Sequence, residues 1–153
     1  MSSHTLNIFK AVKTILEASK ANPSGTLHYI KNIYEGWRNR EDIGTFPVII
    51  IEPNHEPEGR HTIPNMIRSV FEITIVPFME VYNPNNQITG DNGAKGIMDL
   101  TTDIKNVLSV DKSLAGTALK LEFPTCDYYF ENFPYRYAEL SLQVEYISQD
   151  TQR

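Results

Sequence analysis

The segment YAELSLQVEYI, residues 137–147, alternates apolar and polar side chains along its length. A period of two is typical of a β-strand with one buried face and one face in water. Leu119, Leu121 and Phe123 alternate with Lys120 and Glu122 in the same way. The two segments predict an antiparallel pair of strands between residues 118 and 147, around which the rest of the chain packs. The residues predicted to be buried in the longer strand are Ala138, Leu140, Leu142, Val144 and Tyr146.

An aromatic-rich connection, Cys126–Tyr137, is predicted between these two strands. Its rings are hard to bury together in one small domain, and Tyr and Phe are enriched at protein interfaces. We expect some of them to pack across the hairpin and several to lie in a subunit contact. Base stacking is disfavoured, because only Arg136 supplies positive charge nearby. The rings are Tyr128, Tyr129, Phe130, Phe133, Tyr135 and Tyr137.

Two helices are predicted from apolar residues spaced along one helical face. In Thr5–Ala21 these residues include Ile8, Val12 and Leu16, and Pro23 with Gly25 ends the helix. In Ala94–Leu108 the apolar stripe is Ile97, Leu100, Ile104, Val107 and Leu108. Lys95 and Asp99 stand four residues apart, so a weak ion pair between them is expected.

Three further strands are predicted, so the order is helix, three strands, helix, two strands. The β-branched run Val48–Ile51 favours a strand covered on both faces. Long polar loops are expected at residues 53–65 and 79–93, and loops of such length often contact a partner. This order predicts a single α+β domain over residues 1–153, with flexible ends at about 1–4 and 149–153 and the helices against a mostly antiparallel sheet. The three strands are Thr26–Trp37, Phe46–Glu52 and Ile67–Phe78.

The composition excludes several classes of protein. A net charge of −5 disfavours a protein that grips nucleic acid, since that task needs clustered Lys and Arg. The single cysteine, Cys126, excludes an intrachain disulfide and fits a reducing compartment. The longest purely apolar run, Val48–Ile51, is far shorter than a membrane span. We expect a soluble protein made in the cytoplasm, without a membrane partner.

No catalytic or metal-binding pattern is present in the sequence. The segment Glu52–His61 is the richest in metal-ligand types, but its prolines predict a loop in which His55 and His61 do not converge. Asn83–Gly93 lacks the alternating acidic ligands of a calcium loop. Cys126 carries no reactive signature. We therefore expect no enzyme activity, no cofactor and no metal.

Read in order, the elements resemble the tail terminator, or tail completion, proteins of long-tailed bacteriophages. The resemblance covers about residues 5 to 148 and lies in the order of elements. Besides the N-terminal helix, its pieces are Ile33–Gly36, Phe46–Pro53, Phe71–Val76, Ile97–Leu108, Tyr128–Tyr129 and Leu140–Tyr146.

The resemblance implies an α+β sandwich that assembles into a homohexameric ring. Such a ring lies in the virion at the head-proximal end of the tail tube, ends tube polymerisation and joins the tail to the neck. Its partners are other copies of the chain, the tail tube protein and a neck or head-completion protein. DNA passes through the centre without specific binding, so acidic and neutral side chains are expected toward the channel. The net charge of −5 is compatible with this arrangement.

Candidate contact residues follow from the resemblance and from the aromatic connection. Subunit or tube contacts are expected from loops 53–65 and 79–93 and from Tyr128, Tyr129, Phe130, Phe133 and Tyr135. Four arginines are expected either to pair with a neighbour's carboxylates or to be solvated: Arg38, Arg40, Arg60 and Arg68. One alternative is another ring-forming phage protein, such as a head–tail connector or a tube-like protein. A second is a small-ligand-binding α+β domain, which needs a pocket with converging polar groups.

Overall fold

The computed structural model describes residues 4–55, 60–63, 66–90, 94–114, 116–130 and 133–149. These residues form two α-helices and seven β-strands, together with single turns of 3₁₀ helix at Arg40–Asp42 and Pro84–Asn86. The helices are α1 (His4–Ala21) and α2 (Ile97–Ser109). The strands are β1 (Asn32–Glu35), β2 (Val48–His55), β3 (Arg60–Ile63), β4 (Met66–Glu80), β5 (Lys120–Glu122), β6 (Cys126–Phe130) and β7 (Tyr135–Gln149).

The long strands β4 and β7 form the centre of one sheet. They pair antiparallel from Met66 opposite Gln149 to Glu80 opposite Tyr135. The strand order is β1-β2-β4-β7-β5, with β3 beside β4 and β6 beside β7. Only β1 and β2 pair in parallel among these strands. The predicted α+β fold with a mostly antiparallel sheet is therefore confirmed.

Both helices cover the same face of this sheet. Val12 of α1 and Ile104 of α2 are fully buried against Ile73 and Leu142 from the two central strands. Removing such side chains from water is the main driving force for this packing. The five residues predicted to be buried along β7 are all buried, because their spacing of two keeps them on this helix-covered face.

Among the described residues, the opposite face is covered at one end. There Val48, Ile50, Val76 and Phe78 form a second buried cluster beneath Ile43 and Phe46. The segment that contributes this cover, residues 37–46, crosses the sheet between β1 and β2. The prediction that Val48–Ile51 is covered on both faces is confirmed, since all four residues have no exposed surface.

The structure corrects the predicted strand between residues 26 and 37. Only Asn32–Glu35 is a strand. The preceding residues form turns, in which His28 N–H donates to Gly25 O and Ile30 N–H donates to Leu27 O. Leu27 and Ile30 still enter the core, so burial without a strand explains their apolar character.

The predicted loop at 53–65 is also wrong in part. Strand β2 continues through His55 and β3 occupies residues 60–63, whereas 56–59 and 64–65 lie outside the described residues. At the second predicted loop, Met79 and Glu80 belong to β4, and a 3₁₀ turn follows at Pro84–Asn86. Residues 91–93 of that loop lie outside the described part of the chain.

The aromatic connection is largely a strand. Cys126–Phe130 forms β6 and pairs with residues 136–140 of β7, so the true connection is short. Leu119, predicted to be buried, is 58% exposed because it precedes β5 at the margin of the sheet. The expected Lys95–Asp99 pair is replaced by an ion pair of Lys95 Nζ with Asp103 at 3.2 Å.

Candidate interaction surface

The uncovered part of the sheet is rich in carboxylates. Residues paired across strands share a face, and this places one lysine, Lys120, among several acidic residues. Lys120 Nζ lies 2.7 Å from Glu122 Oε1, and Gln143 Nε2 donates to Glu72 Oε1 at 2.8 Å. We call this surface the acidic face. Its carboxylates belong to Glu52, Glu72, Glu122, Asp127, Glu139 and Glu145.

An aromatic cluster borders the acidic face where residues 37–46 cross the sheet. Phe78 lies at its centre, with ring centroids 5.4 Å from Tyr137 and 5.4 Å from Phe46. Trp37 lies 5.8 Å from Tyr137, and its backbone N–H donates to Glu52 Oε1 at 2.6 Å. Trp37 remains 43% exposed, so the cluster presents an indole ring beside carboxylates. Rings of this kind are common anchors of protein interfaces.

The predicted contact tyrosines of β6 lie on opposite faces of the sheet. The Tyr129 ring stacks on Tyr137 at 5.0 Å on the acidic face, and its hydroxyl donates to Glu139 Oε2 at 3.4 Å. The Tyr128 hydroxyl lies 3.2 Å from Thr101 Oγ1 of α2 on the helix-covered face. Both rings are exposed, but they do not form one common surface.

The remaining predicted contact aromatics are also separated. Tyr135 packs within the aromatic cluster, 5.7 Å from Phe46. Phe133 is 51% exposed and makes an edge contact with Tyr82 at 6.5 Å. We call Tyr82 and Phe133 the rim pair, because they lie where β4 ends and β7 begins. The side chain of Phe130 lies outside the described residues.

Nearby carboxylates and burial hold the β6 tyrosines in their neutral form. The negative charge of Glu139, followed by partial burial and by Asp127, raises the pKa of Tyr129. Burial is the main cause of the raised pKa of Tyr128, and its contact with Cys126 adds to it. Both phenols therefore keep their protons to a higher pH than a free tyrosine does.

Two of the four predicted arginines contact aromatic rings of their own chain. Arg38 lies 5.0 Å from the Tyr34 ring, and its Nη1 donates to Gly36 O at 3.0 Å. Arg40 lies 4.9 Å from the Tyr135 ring. These contacts fix both guanidinium groups near the acidic face, while pairing with a neighbour's carboxylates stays a prediction. The side chains of Arg60 and Arg68 lie outside the described residues, although their backbones pair between β3 and β4.

Trp37 and the acidic face are the features that sequence reasoning missed. The sequence pattern places Trp37 at the end of a predicted strand, and its contacts with Phe78 and Tyr137 join residues far apart in the chain. The acidic face did leave a signal, because Glu139, Ser141, Gln143 and Glu145 occupy the polar positions of the alternating segment. What the alternation does not reveal is that the polar face of β7 adjoins acidic positions on β4, β5 and β6, and that β2 adds Glu52 beyond β4.

A groove of about 460 Å³ opens between α1 and the sheet. Its lining is mostly apolar, with Leu6, Phe9 and Phe71 beside the charged groups of Lys10 and Glu35. The tyrosines with raised pKa values lie outside it. Within the described residues there is no group of three metal-ligating side chains. No described helix is long and apolar enough to cross a membrane.

In comparisons with known proteins, no family model matches this sequence, and no curated protein matches it either. The fold and its surfaces therefore carry the functional argument.

Proposed function

We propose that this chain is the ring-forming subunit of a phage tail terminator, with the acidic face of its sheet toward the central channel. The observation that supports this most directly is the contrast between the two faces of the sheet. Both helices cover one face, and among the described side chains the other carries six carboxylates and one lysine, with Arg38 and Arg40 at its border: Glu52, Glu72, Glu122, Asp127, Glu139, Glu145 and Lys120.

A channel lined in this way suits DNA that must pass without being held. Duplex DNA binds proteins mainly where Lys and Arg neutralise its phosphates and release counterions. Carboxylates repel the phosphates instead, and a ring multiplies the effect by repeating the acidic face around the channel. The acidic face therefore supports a conduit better than a nucleic-acid-binding site.

The exposed aromatic residues supply the contacts that a ring at the end of a tube requires. A closed ring needs two different contact surfaces on each subunit, and a further surface must meet the tube. The rim pair, Tyr82 and Phe133, lies at one end of β4 and β7 and is well exposed. Exposed Tyr and Phe are enriched in such contacts, so we assign the rim pair to the tube or the neck.

The proposal is tested first by native mass spectrometry with negative-stain microscopy at low and high protein concentration. We expect a closed six-fold ring with a hole wide enough for duplex DNA. A stable dimer without a hole would contradict the proposal. If the chain is monomeric in solution, adding it to growing tail tubes decides the matter: a terminator stops elongation at one end, and unchanged tube growth rules the function out.

A further inference from the structure

The sheet has two outer edges that no described strand covers. Strand β1 pairs only with β2, and β6 pairs only with β7, within the part of the chain that the structure describes. An outer edge presents backbone N–H and C=O groups that are ready to pair with another strand. These two edges lie at opposite sides of the sheet, so they are two different surfaces of the molecule.

Backbone pairing identifies the groups that point outward from β6. Ser141 N–H donates to Thr125 O at 2.9 Å, so Thr125 and Ser141 form a hydrogen-bonded pair at the start of the β6–β7 ladder. Such pairs alternate along antiparallel strands. The N–H of Tyr128 therefore points away from β7, to the outer edge, and the N–H of Tyr129 points to β7.

The same reasoning applies to β1. Gly36 N–H donates to Ile51 O at 3.0 Å, in register with the parallel pairing of Glu35 and Ile51. Because inward and outward groups alternate, the N–H groups of Tyr34 and Asn32 also point to β2, and those of Ile33 and Glu35 point to the outer edge. Asn32 is exposed, and its side chain lies on the same side of the sheet as Val48.

The two outer edges run in opposite directions. Strand β1 is parallel to β2, and each step from β2 to β4, from β4 to β7 and from β7 to β6 is antiparallel. Three reversals leave β6 antiparallel to β1. If the ring axis runs parallel to the strands, the rotation that relates two neighbouring subunits leaves the strand direction unchanged. Strand β1 of one copy then lies antiparallel to β6 of the next.

The charges beside the two edges are complementary. On the acidic face, β6 presents the exposed Asp127, and Glu139 lies next to it on β7. Beside β1, the guanidinium group of Arg38 lies over the Tyr34 ring on the same face. Joining these edges brings a cation of one copy toward carboxylates of the next, which favours correct register over other pairings.

We propose that the outer edge of β6 in one copy pairs with the outer edge of β1 in the next, so that the sheet continues from subunit to subunit. This inference rests on the proposed ring and identifies its subunit contact. The contact is heterologous, and when the ring closes it pairs the outer edges of β1 and β6. It also keeps the acidic faces of all copies on one side, toward the channel.

The decisive experiment separates the backbone N–H from the side chain. Tyr128→Pro removes an outward N–H and spares the β6–β7 hydrogen bonds, whereas Tyr128→Ala removes the ring and keeps the N–H. Glu35→Pro and Glu35→Ala form a second matched pair on β1, since both lose the Glu35 carboxylate and only the first loses an outward N–H. We expect the proline variants to shift the midpoint of ring assembly to at least about tenfold higher concentration than the matched alanine variants, with circular dichroism verifying the fold.

Disulfide trapping provides an independent readout. In a Cys126→Ser background, Asp127→Cys combined with Asn32→Cys, and Asp127→Cys combined with Tyr34→Cys, place thiols on the two edges of the same face. We expect oxidation to give a ladder of covalent oligomers that ends at the ring. Asp127→Cys combined with Glu17→Cys is the control, since Glu17 belongs to α1, which packs on the opposite face of the sheet.

The outcomes distinguish this inference from the proposed function. If the proline variants assemble like their alanine partners and neither cysteine pair cross-links, edge pairing is wrong, although the terminator function still stands. If the unmodified chain forms no ring and leaves tube growth unchanged, both are wrong. Selective loss of assembly in the proline variants, together with cross-linking, supports the continuous sheet.

Discussion

At the scale of single residues, Tyr29 connects the turn after α1 to α2. Its hydroxyl donates to Asp103 Oδ2 at 2.7 Å, and Lys95 Nζ lies 3.2 Å from the same oxygen and 5.3 Å from the centroid of the Tyr29 ring. Burial and the Asp103 carboxylate raise the pKa of Tyr29 well above its usual value. The phenol therefore keeps its proton in the folded protein at pH values where an unfolded tyrosine begins to ionise.

We expect Tyr29→Phe to lower the free energy of unfolding by about 1–2 kcal/mol at neutral pH, because the Asp103 carboxylate loses a donor. A raised folded pKa gives stability that is fully present below the unfolded value near 10 and is lost as pH rises toward the folded value. The difference in free energy of unfolding between the wild-type protein and Tyr29→Phe should therefore shrink above about pH 10. Urea unfolding between pH 7 and 11 measures this.

The control for this prediction is Tyr82→Phe, since Tyr82 is exposed. It should leave stability at neutral pH unchanged. An equal loss in Tyr82→Phe, or a constant difference between Tyr29→Phe and the wild type up to pH 11, would contradict the assigned role of Tyr29.

At the scale of elements, the start of α2 depends on one carboxylate. Asp99 Oδ2 accepts a hydrogen bond from Gly96 N–H at 2.9 Å and another from Gly90 N–H. The glycines are needed because a Cβ on Gly90 would lie 1.7 Å from Ala94 O, and one on Gly96 would lie 2.3 Å from Ile88 O. Asp99 thus both caps the helix and holds the preceding loop against it.

We expect Asp99→Ala to destabilise the protein by about 1–2 kcal/mol, because two backbone donors lose their acceptor. Asp99→Asn should lose less, since the amide oxygen still accepts one bond. Asn106→Ala, at an exposed position on the same helix, is the control. Thermal unfolding measures the differences, and an Asp99→Ala variant as stable as Asn106→Ala would show that the cap contributes nothing.

At the scale of the whole molecule, we expect the charge of the acidic face to determine whether the protein binds duplex DNA. We expect the wild-type chain to show no retention of duplex DNA at low salt. The triple reversal Glu72→Lys, Glu122→Lys and Glu145→Lys should create salt-dependent binding, because lysines release counterions from the phosphates. Electrophoretic mobility shifts at several salt concentrations measure this.

A matched set of reversals tests whether position matters. The double reversal Glu17→Lys and Asp111→Lys changes the net charge as much as Glu72→Lys with Glu122→Lys, but lies on α1 and just after α2. In the assembled ring it should leave DNA passage unaffected and bind DNA more weakly than the pair on the acidic face. Equal binding by both pairs would show that net charge alone acts, without a role for the acidic face.

The rim pair provides a second prediction at this scale. Tyr82→Ala combined with Phe133→Ala should weaken binding to the tube or the neck at least about tenfold, because exposed aromatic anchors carry much of the energy of such contacts. Ring formation should persist, as Tyr82 and Phe133 lie beyond the ends of β4 and β6 and outside the paired strands. Val110→Ala, which is 87% exposed at the end of α2, is the control, and tube capping against protein concentration measures the effect.

The elements that the sequence predicted well depend on local patterns. Alternation along residues 137–147 identified both β7 and its buried face, and the spacing of Val12 and Leu16 identified the buried stripe of α1. The predicted strand over residues 26–37 was wrong for most of its length. Leu27 and Ile30 are apolar because the core buries them, yet their backbone forms turns, and an apolar pattern alone does not distinguish these cases.

The sequence by itself determined the α+β class, the central strand and the acidic character of this protein, because periodicity and charge are properties of neighbouring residues. Only the tertiary structure decided which residues share a surface. Sheet pairing places Glu52, Glu72 and Glu139, from three strands, on one face. The fold also brings Trp37 into contact with Tyr137, although the two residues are 100 positions apart in the sequence. Alternation within β6 sends Tyr128 and Tyr129 to opposite faces, so adjacent rings have different neighbours.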